Sequence, residues 1–390
     1  MIGALKALIR RKKTEIITTR SALEELIARL SGEPVVAVDL EADSMHHYQE
    51  KVCLIQISTP PESVIIDPLA FSDISLLASV MADRDVRKIF HGADYDIRSL
   101  YRDFGISVNN LFDTMVACQF LGEKELGLAA VLFKRFGVEL DKKFQKADWS
   151  RRPLTCEMIE YAVKDTSLLI ALYEQLKKEL AVKGRLAWVE EESKLLAGVR
   201  ATSREQEPLF VRFKGAAGMN QRSLAVLEEL LRFRDNIARA KDLPPFKILG
   251  SETIRKIAEV MPRRHSDLEG ISGVSPNLIE RFGNDILEAI ARGASFPPDR
   301  LPSYPSSRRF VKQRRKGDVL KRLKLWRETK AAELGIDAGI LVNNNILEGV
   351  AEAALSGRRV GGKVISLKHW QDELFGKDLR KLANDLYDGA

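Results

Sequence analysis

The sequence contains little cysteine and no long apolar stretch. Its 390 residues include three cysteines, Cys53, Cys118 and Cys156. An odd number without a C-x-x-C pair argues against a disulfide framework or a zinc ribbon and favours a reducing compartment. No apolar run approaches the roughly 18 residues of a membrane span, and MIGALKALIRRKK lacks the charge-first order of a signal peptide. We therefore expect a cytoplasmic protein with no membrane partner.

The composition is otherwise that of a globular protein. Hydrophobic residues make up 45% and charged residues 30% of the chain, which argues against a disordered chain. The length predicts two or three domains rather than a single core. The formal net charge of +7 is compatible with a polyanionic partner, although many basic proteins bind nothing anionic.

The first half of the chain alternates between strand-like and helix-like segments. Short apolar or β-branched runs predict strands at Val35–Leu40, Val52–Ser58, Val64–Asp67 and Lys88–His91. Apolar spacing predicts helices at Ile74–Met81, Leu126–Phe136 and Thr155–Leu180. We therefore expect a mixed α/β domain within residues 1–210.

The second half is predicted to be helical and to contain an internal repeat. An offset of about 93 residues aligns Phe233-Arg234 with Trp326-Arg327 and Leu243 with Ile336. Two copies are too few for a solenoid. They predict two small helical domains, at residues 215–296 and 318–390.

Residues 297–317 form a predicted linker between the two repeats. Its Pro and Ser content predicts a semi-rigid spacer. The basic residues at its end form either a solvated linker or a strap that contacts phosphate groups. They are Arg308, Arg309, Lys312, Arg314, Arg315 and Lys316.

Two pairs of polar residues have spacings that place each pair on one face. Asp39 and Glu41 are two apart on a predicted strand, so both carboxylates point to the same side of the sheet. Tyr161 and Asp165 are four apart on a predicted helix and are therefore neighbours on its surface. Each spacing alone is weak, because exposed strand faces and amphipathic helices produce the same patterns.

Asp96 follows the predicted strand KIFHG and lies in the first turn of the next helix. The helix dipole alone favours an acid there, and Asp94 competes for any functional role. Asp113 is predicted to be a structural N-cap.

The four acids together are more specific than any one motif. Two Mg²⁺ or Mn²⁺ ions need several hard oxygen ligands. An ion pair about 3.5–4 Å apart stabilises both the attacking and the leaving oxygen in phosphoryl transfer. The order D-x-E, D, Y-x-x-x-D therefore indicates a metal-dependent phosphodiesterase.

Four further residues are candidates for substrate contact. His91 is either a substrate contact or a satisfied, partly buried histidine. Trp149, Arg151 and Arg152 either stack on and clamp RNA or form a packed turn before the following helix.

Three segments resemble the exonuclease motifs of the tyrosine-bearing branch of the DEDD superfamily, and the ribonuclease D family in particular. They are DLEAD, FHGADYDIRSLYRDFGI…NLFDT and DWSRRPLTCEMIEYAVKDTSLL. The C-terminal repeats are similar to helicase-and-RNase-D C-terminal (HRDC) domains. The resemblance implies an α/β ribonuclease H-like nuclease domain, with a mixed sheet flanked by helices, followed by two all-α HRDC-type domains.

The resemblance also implies roles for individual residues. Asp39, Glu41, Asp96 and Asp165 would be the ligands of two divalent cations, Mg²⁺ or Mn²⁺, and Tyr161 would orient the attacking water. The implied activity is 3′–5′ exoribonuclease cleavage that releases nucleoside 5′-monophosphates. The implied substrate is RNA with a single-stranded 3′ end, such as a transfer RNA precursor, and the implied state is a monomer.

Two other functions stay open at this point. One is a 3′–5′ DNA exonuclease, because carboxylates that bind metal do not read the sugar. The other is a catalytically silent RNA-binding scaffold, which the presence of all four acids and the tyrosine disfavours.

Overall fold

The computed structural model describes residues 13–200, 207–305, 313–355 and 366–388. The chain divides into two compact units. The first contains the chain up to Ala42, Val52–Ala201 and the part that follows Arg309. The second contains Asp43–Lys51 and Thr202–Arg308. Arg308, Arg309 and Lys312 of the predicted basic strap lie outside the described residues. The side chain of Lys316 pairs with Glu352 at 2.7 Å.

A six-stranded mixed sheet forms the centre of the first unit. Its strands are β1 (Lys13–Ile17), β2 (Val35–Ala42), β3 (Val52–Ser58), β4 (Glu62–Ile66), β5 (Arg87–Phe90) and β6 (Leu111–Asp113). Their order across the sheet is β1-β4-β3-β2-β5-β6. The β2–β3 and β3–β4 pairs are antiparallel and the other three are parallel. All four predicted strands are present, whereas β1 and the three-residue β6 were not predicted.

Eight helices accompany this sheet within residues 13–200. They are α1 (Arg20–Leu30), α2 (Leu77–Ala82), α3 (Asp94–Phe104), α4 (Thr114–Leu121), α5 (Leu128–Phe136), α6 (Cys156–Ser167), α7 (Leu169–Val182) and α8 (Leu186–Ala197). Helices α1, α2 and α3 contribute to the apolar core on one face of the sheet. Helices α4, α6 and α7 contribute to the apolar clusters on the other face.

The prediction of one continuous helix over Thr155–Leu180 is wrong. The helix is interrupted at Leu168, which has φ −109° and ψ −5°. Just before the break, the hydroxyls of Thr166 and Ser167 donate to the carbonyls of Val163 and Lys164. Hydroxyl side chains that bond back to the preceding turn bend helices, so α6 and α7 leave the break as separate helices.

The second unit is helical in its described part. Its helices are α9 (Gln221–Lys241), α10 (Pro245–Ile248), α11 (Ser251–Val260), α12 (His265–Glu269) and α13 (Pro276–Ala294). They enclose an apolar core of their own. The segment Asp43–Lys51 belongs to this unit, and the Tyr48 hydroxyl hydrogen bonds to Asp235 of α9 at 2.8 Å.

The C-terminal repeat belongs to the first unit and shares its core. Its helices are α14 (Gln313–Leu334), α15 (Ala338–Leu341), α16 (Asn344–Leu355), α17 (His369–Gln371) and, after a π-turn, α18 (Lys377–Asp388). Trp370 stacks on Trp188 at a ring-centroid distance of 5.2 Å. The buried Arg185 donates to the carbonyls of Phe120 and Leu334.

Side-chain contacts recur at the offset of the predicted repeat. Arg234 donates to the carbonyl of Leu249 at 3.4 Å, and Arg327 donates to that of Val342 at 2.9 Å. Aromatic pairs recur at the same offset, as Phe233–Phe282 and Trp326–Phe375. None of the helices in the described parts of the chain is long and apolar enough to cross a membrane.

Candidate active site

The D-x-E pair lies in the second half of β2, at the centre of the sheet. Asp39 and Glu41 alternate with the buried Val38 and Leu40, which belong to the core on the opposite face. The strand therefore directs both acids toward the face that α6 covers.

Helix α6 brings the second pair to the same place. Thr155 caps its N-terminus by accepting the N–H of Met158 at 3.2 Å. Met158 and Ala162 pack in the apolar cluster against the sheet, so Tyr161 and Asp165 lie toward one edge of that contact, half-buried.

Three of the four predicted ligands converge. One carboxylate oxygen from each of Asp39, Glu41 and Asp165 lies within 4.8 Å of the others. These residues come from a strand and from a helix more than 120 positions later in the chain. The convergence follows from the packing of α6 on the sheet and not from either motif alone.

Asp96 approaches this group from α3. It is 7% exposed, and its charge raises the pKa of Glu41. It does not belong to the group of three within 4.8 Å. Asp94 is exposed and forms an ion pair with Arg98 at 2.7 Å, so the structure places Asp96, and not Asp94, beside the other acids.

The carboxylates share an environment that disfavours their charge. Burial raises the pKa of Asp39 to about 7. Burial, followed by the charges of Asp39, Asp165 and Asp96, raises the pKa of Glu41 to about 10. Burial and the charge of Asp39 raise the pKa of Asp165 to about 8, against a lowering effect of Lys164. Burial, then the charges of Asp39 and Asp113, raises the pKa of Asp96 well above its ordinary value.

Tyr161 is held between two aromatic rings next to these acids. Phe144 lies edge-on at a centroid distance of 5.8 Å and Trp149 lies at 6.0 Å. Burial and the nearby charges of Asp165 and Glu41 raise the pKa of the Tyr161 phenol. A cavity of about 290 Å³ opens beside Tyr161 and Asp165, lined also by Phe144 and Lys164.

Comparison with known proteins gives matches to both halves of the chain. A family model described as 3′-5′ exonuclease matches residues 14–181, and an HRDC domain model matches residues 223–290. Ribonuclease D of Nitrobacter hamburgensis is 30% identical over 367 residues, which cover 93% of this chain and 93% of that protein. This chain belongs to the ribonuclease D family.

Further relatives agree with this membership. Ribonuclease D of Zymomonas mobilis is 29% identical over 93% of this chain and 92% of its own length. The crystal structure of Escherichia coli RNase D has a TM-score of 0.72 at 25% identity, over 96% of this chain and 99% of that one. The catalytic core of RRP6 from Trypanosoma brucei has a TM-score of 0.62 at 33% identity, over 72% of this chain and 80% of that one. The predicted fold class and the prediction of a ribonuclease D-type exoribonuclease are thus confirmed.

His91 has a structural role in this member of the family. Its Nε2 lies 2.8 Å from the carbonyl of Leu126, and its Nδ1 lies 2.9 Å from the hydroxyl of Thr114. Both ring nitrogens are therefore occupied within the protein. These contacts are those of a satisfied, partly buried histidine, and substrate contact by His91 stays a prediction.

Trp149 and Arg152 form the packed turn that was the alternative to RNA contact. Trp149 is 1% exposed, so its face is unavailable to a base, and the stacking prediction is wrong for this residue. Arg152 holds Asp67 with Nε and Nη2, both at 2.7 Å, and donates to the carbonyl of Cys53. Of the predicted group, Arg151 keeps an accessible side chain, 83% exposed and paired with Asp148.

Sequence reasoning missed the contribution of Phe144. This aromatic residue lies in the polar segment DKKFQKADW, and its contact with the Tyr161 ring fixes that residue from the side of the cavity. The available signal was the position of Phe144, an aromatic residue between charged and polar neighbours.

Proposed function

We propose that this exoribonuclease uses Asp39, Glu41, Asp96 and Asp165 to hold two divalent cations, Mg²⁺ or Mn²⁺, and releases nucleoside 5′-monophosphates from RNA 3′ ends. The observation that carries the proposal is the convergence of three buried or half-buried carboxylates within 4.8 Å. Carboxylates placed so closely in a poorly solvated site repel one another, and a cation relieves that repulsion.

The donor set fits hard cations. Every candidate ligand is a carboxylate oxygen, which Mg²⁺ and Mn²⁺ prefer to nitrogen or sulfur. The charge of Asp39 raises the pKa values of Glu41, Asp96 and Asp165 alike. Asp39 therefore lies near all three other acids and would hold the ions together with them. When bound, the ions would acidify the attacking water and stabilise the attacking and leaving oxygens.

Tyr161 orients the attacking water without acting as its base. A phenol with its ordinary pKa is protonated at neutral pH and is therefore a poor base. The surroundings of Tyr161 raise its pKa further, which makes it a still poorer base. The protonated hydroxyl donates or accepts one hydrogen bond and holds the water in line. The rings of Phe144 and Trp149 keep the phenol in this position.

Attack at the end of the chain requires that the terminal nucleotide be recognised. We assign to Glu41 a contact with the terminal 3′-hydroxyl, because its carboxylate lies in the acid group and accepts hydrogen bonds when ionised. The adjacent cavity of about 290 Å³ is close to the size of small-ligand sites and provides space for one nucleotide.

The natural substrate class follows from the family. We propose RNA with a single-stranded 3′ end, particularly transfer RNA precursors and other small structured RNAs, acted on by a monomer. The described cysteines are free thiols, which supports activity in the reducing cytoplasm. A DNA substrate is the second candidate, because none of the assigned residues reads the 2′-hydroxyl.

One experiment tests reaction and substrate together. The full chain is incubated with matched 3′-tailed RNA and DNA oligomers in Mg²⁺, in Mn²⁺ and in EDTA, and the products are separated. We expect 5′-mononucleotides from RNA in either metal and none in EDTA. Faster release from DNA would favour the DNA exonuclease, and no release in either metal would favour the silent scaffold.

The helical domains are proposed to admit a single-stranded end and to exclude a duplex. Deletion of the chain after about residue 215 is a poor test, because it removes Trp370 from the core shared with Trp188 and Phe120. Point variants on exposed residues of Gln221–Lys241 in the intact chain, assayed on tailed hairpins of different tail length, are the better test.

A further inference from the structure

A buried polar side chain without a partner lies on the strand next to the catalytic one. Gln56 of β3 is 1% exposed. Neither its amide nitrogen nor its amide oxygen has a hydrogen-bond partner among the described residues. Burying an unpaired amide costs free energy that an apolar side chain of the same shape would not. The sequence retains Gln at a position where packing alone favours Leu or Met.

The sheet register places this amide beside the catalytic acids. Gln56 pairs directly with Asp39 across the antiparallel β2–β3 ladder. Residues opposite each other in such a ladder point to the same face, with Cβ atoms about 4.5–5.5 Å apart. The amide of Gln56 is therefore within reach of the Asp39 carboxylate.

Its neighbours on β3 show that this face lies under α6. Ser58, two residues along, hydrogen bonds to Thr166 of α6 at 2.7 Å. Leu54, two residues in the other direction, packs in the apolar cluster with Ala162 of α6. Asp165 lies in the helical turn between Ala162 and Thr166. Gln56 therefore lies beneath the turn that carries Asp165.

Within the described chain, the hydroxyl groups near Gln56 have hydrogen-bond partners, in contrast to its amide. Ser58 also contacts the hydroxyl of Ser63 at 2.7 Å, so the hydroxyls of Ser63, Ser58 and Thr166 form a chain of hydrogen bonds through Ser58. This part of the interface satisfies its polar groups locally. Gln56 is left without a partner at the position nearest to Asp39.

We propose that Gln56 is a positioning residue: when cations are bound, its side-chain amide N–H donates a hydrogen bond to the Asp39 carboxylate and fixes the orientation of that carboxylate toward the cations. The proposal rests on the proposed function. An amide suits this role because it orients an ionised carboxylate without neutralising it, whereas Lys or Arg would compete with the cation for its charge.

The test is Gln56→Met, which keeps the length and shape of the side chain and removes the amide. Three quantities are measured on the full chain: the melting temperature in EDTA, Mn²⁺ affinity by titration calorimetry without RNA, and kcat and KM on a 3′-tailed RNA. We expect an equal or higher melting temperature, Mn²⁺ binding weakened about 10–100-fold and kcat lowered about 10–100-fold, with KM within about twofold. Gln56→Leu is the second variant if Gln56→Met does not fold.

Ser58→Ala is the matched control, because it removes a satisfied polar group from the same strand face. We expect it to lower the melting temperature and to leave Mn²⁺ affinity unchanged. The proposal is overturned if the Gln56→Met variant is stable and keeps the wild-type Mn²⁺ affinity and kcat. It is also overturned if the melting temperature of this variant falls while its Mn²⁺ affinity is unchanged. Failure of the proposed function would give a different result. In that case the Asp39→Asn variant would bind Mn²⁺ no more weakly than the wild type does.

Discussion

Two carboxylates of the sheet, Asp39 on β2 and Asp113 at the end of β6, have opposite surroundings. Asp113 ends β6 and is 1% exposed. It accepts hydrogen bonds from four backbone N–H groups, those of Gly92, Ala93, Met115 and Val116. Burial raises the pKa of Asp39 by more than the backbone N–H of Leu40 lowers it. The charged neighbours of Asp39 are other carboxylates.

The difference separates a structural acid from a functional one. The donors around Asp113 stabilise its charge, and in return it caps α4 and holds the turn that leads to Asp96. Nothing comparable within the described chain stabilises a charge on Asp39 and its neighbours. The proposed divalent cations would supply the missing partner, because carboxylate oxygens are the ligands that such ions prefer.

The largest expected effect is that of Asp39→Asn. We expect kcat to fall roughly 10³-fold, the size of loss seen when a group that stabilises a transition state is removed. In EDTA at pH 8 the free energy of unfolding should rise by about 1–3 kcal/mol, because a buried charge is removed. Mononucleotide release and thermal unfolding measure the two changes. A variant that loses activity and metal-free stability together would contradict the functional role of this acid.

Tyr161→Phe tests the polar group that shares the acid site. The ring and its contacts with Phe144 and Trp149 remain, and only the hydroxyl is lost. We expect kcat to fall about 10²-fold, at the low end for a proton-transfer or positioning group, with Mn²⁺ affinity and melting temperature unchanged. Phe144→Leu, which leaves the hydroxyl but loosens its support, serves as the control and should lose less activity. Unchanged kcat in Tyr161→Phe would remove the phenol from the mechanism.

Asp113→Asn tests the acid whose charge is stabilised by hydrogen bonds from the backbone. An amide in place of the carboxylate directs N–H donors at backbone N–H groups, which leaves donors unpaired. We expect the free energy of unfolding to fall by about 2–3 kcal/mol, to the same extent in EDTA and in Mn²⁺. Urea denaturation under both conditions gives the values. A loss confined to the metal-bound protein would indicate that Asp113 acts on the metal site instead.

The sequence was sufficient for the parts of the site that depend on local periodicity. Asp39 and Glu41 on one strand face, and Tyr161 and Asp165 on one helix face, follow from spacings of two and four. Their convergence required the resemblance to a family, because no local pattern reports that α6 packs on β2 and β3. The surroundings of His91 and Trp149 were not predictable for the same reason: their exposure depends on Thr114, Leu126 and Phe144.

The internal repeat shows the same limit at the scale of domains. The offset of about 93 residues aligned Arg234 with Arg327, and the two residues make matching contacts in the structure. It did not predict that the first copy has a core of its own whereas the second shares the core of the nuclease domain. That difference depends on contacts such as Trp188 with Trp370, which join segments far apart in sequence.

The smallest expected effect is the pH dependence of stability without metal. The pKa values of Asp39, Asp165 and Glu41 are raised to about 7, 8 and 10, against values near 4 in an unfolded chain. The native state therefore binds protons more tightly than the unfolded state. This contribution to stability is fully present below about pH 4 and is lost as the pH rises through the folded-state values.

In EDTA we expect the free energy of unfolding to fall by about 1–2 kcal/mol between pH 6 and pH 9, because other groups offset part of the effect of the acids. Bound Mg²⁺ requires ionised carboxylates, so the stabilisation by the ion should grow over the same range. Asp39→Asn should show a smaller slope in EDTA. Asp113→Asn should change the slope less, because among the four acids the charge of Asp113 raises the pKa of Asp96 alone. A wild-type stability that rises with pH in EDTA would mean that these carboxylates are already stabilised within the chain, and the contrast between Asp39 and Asp113 would be lost.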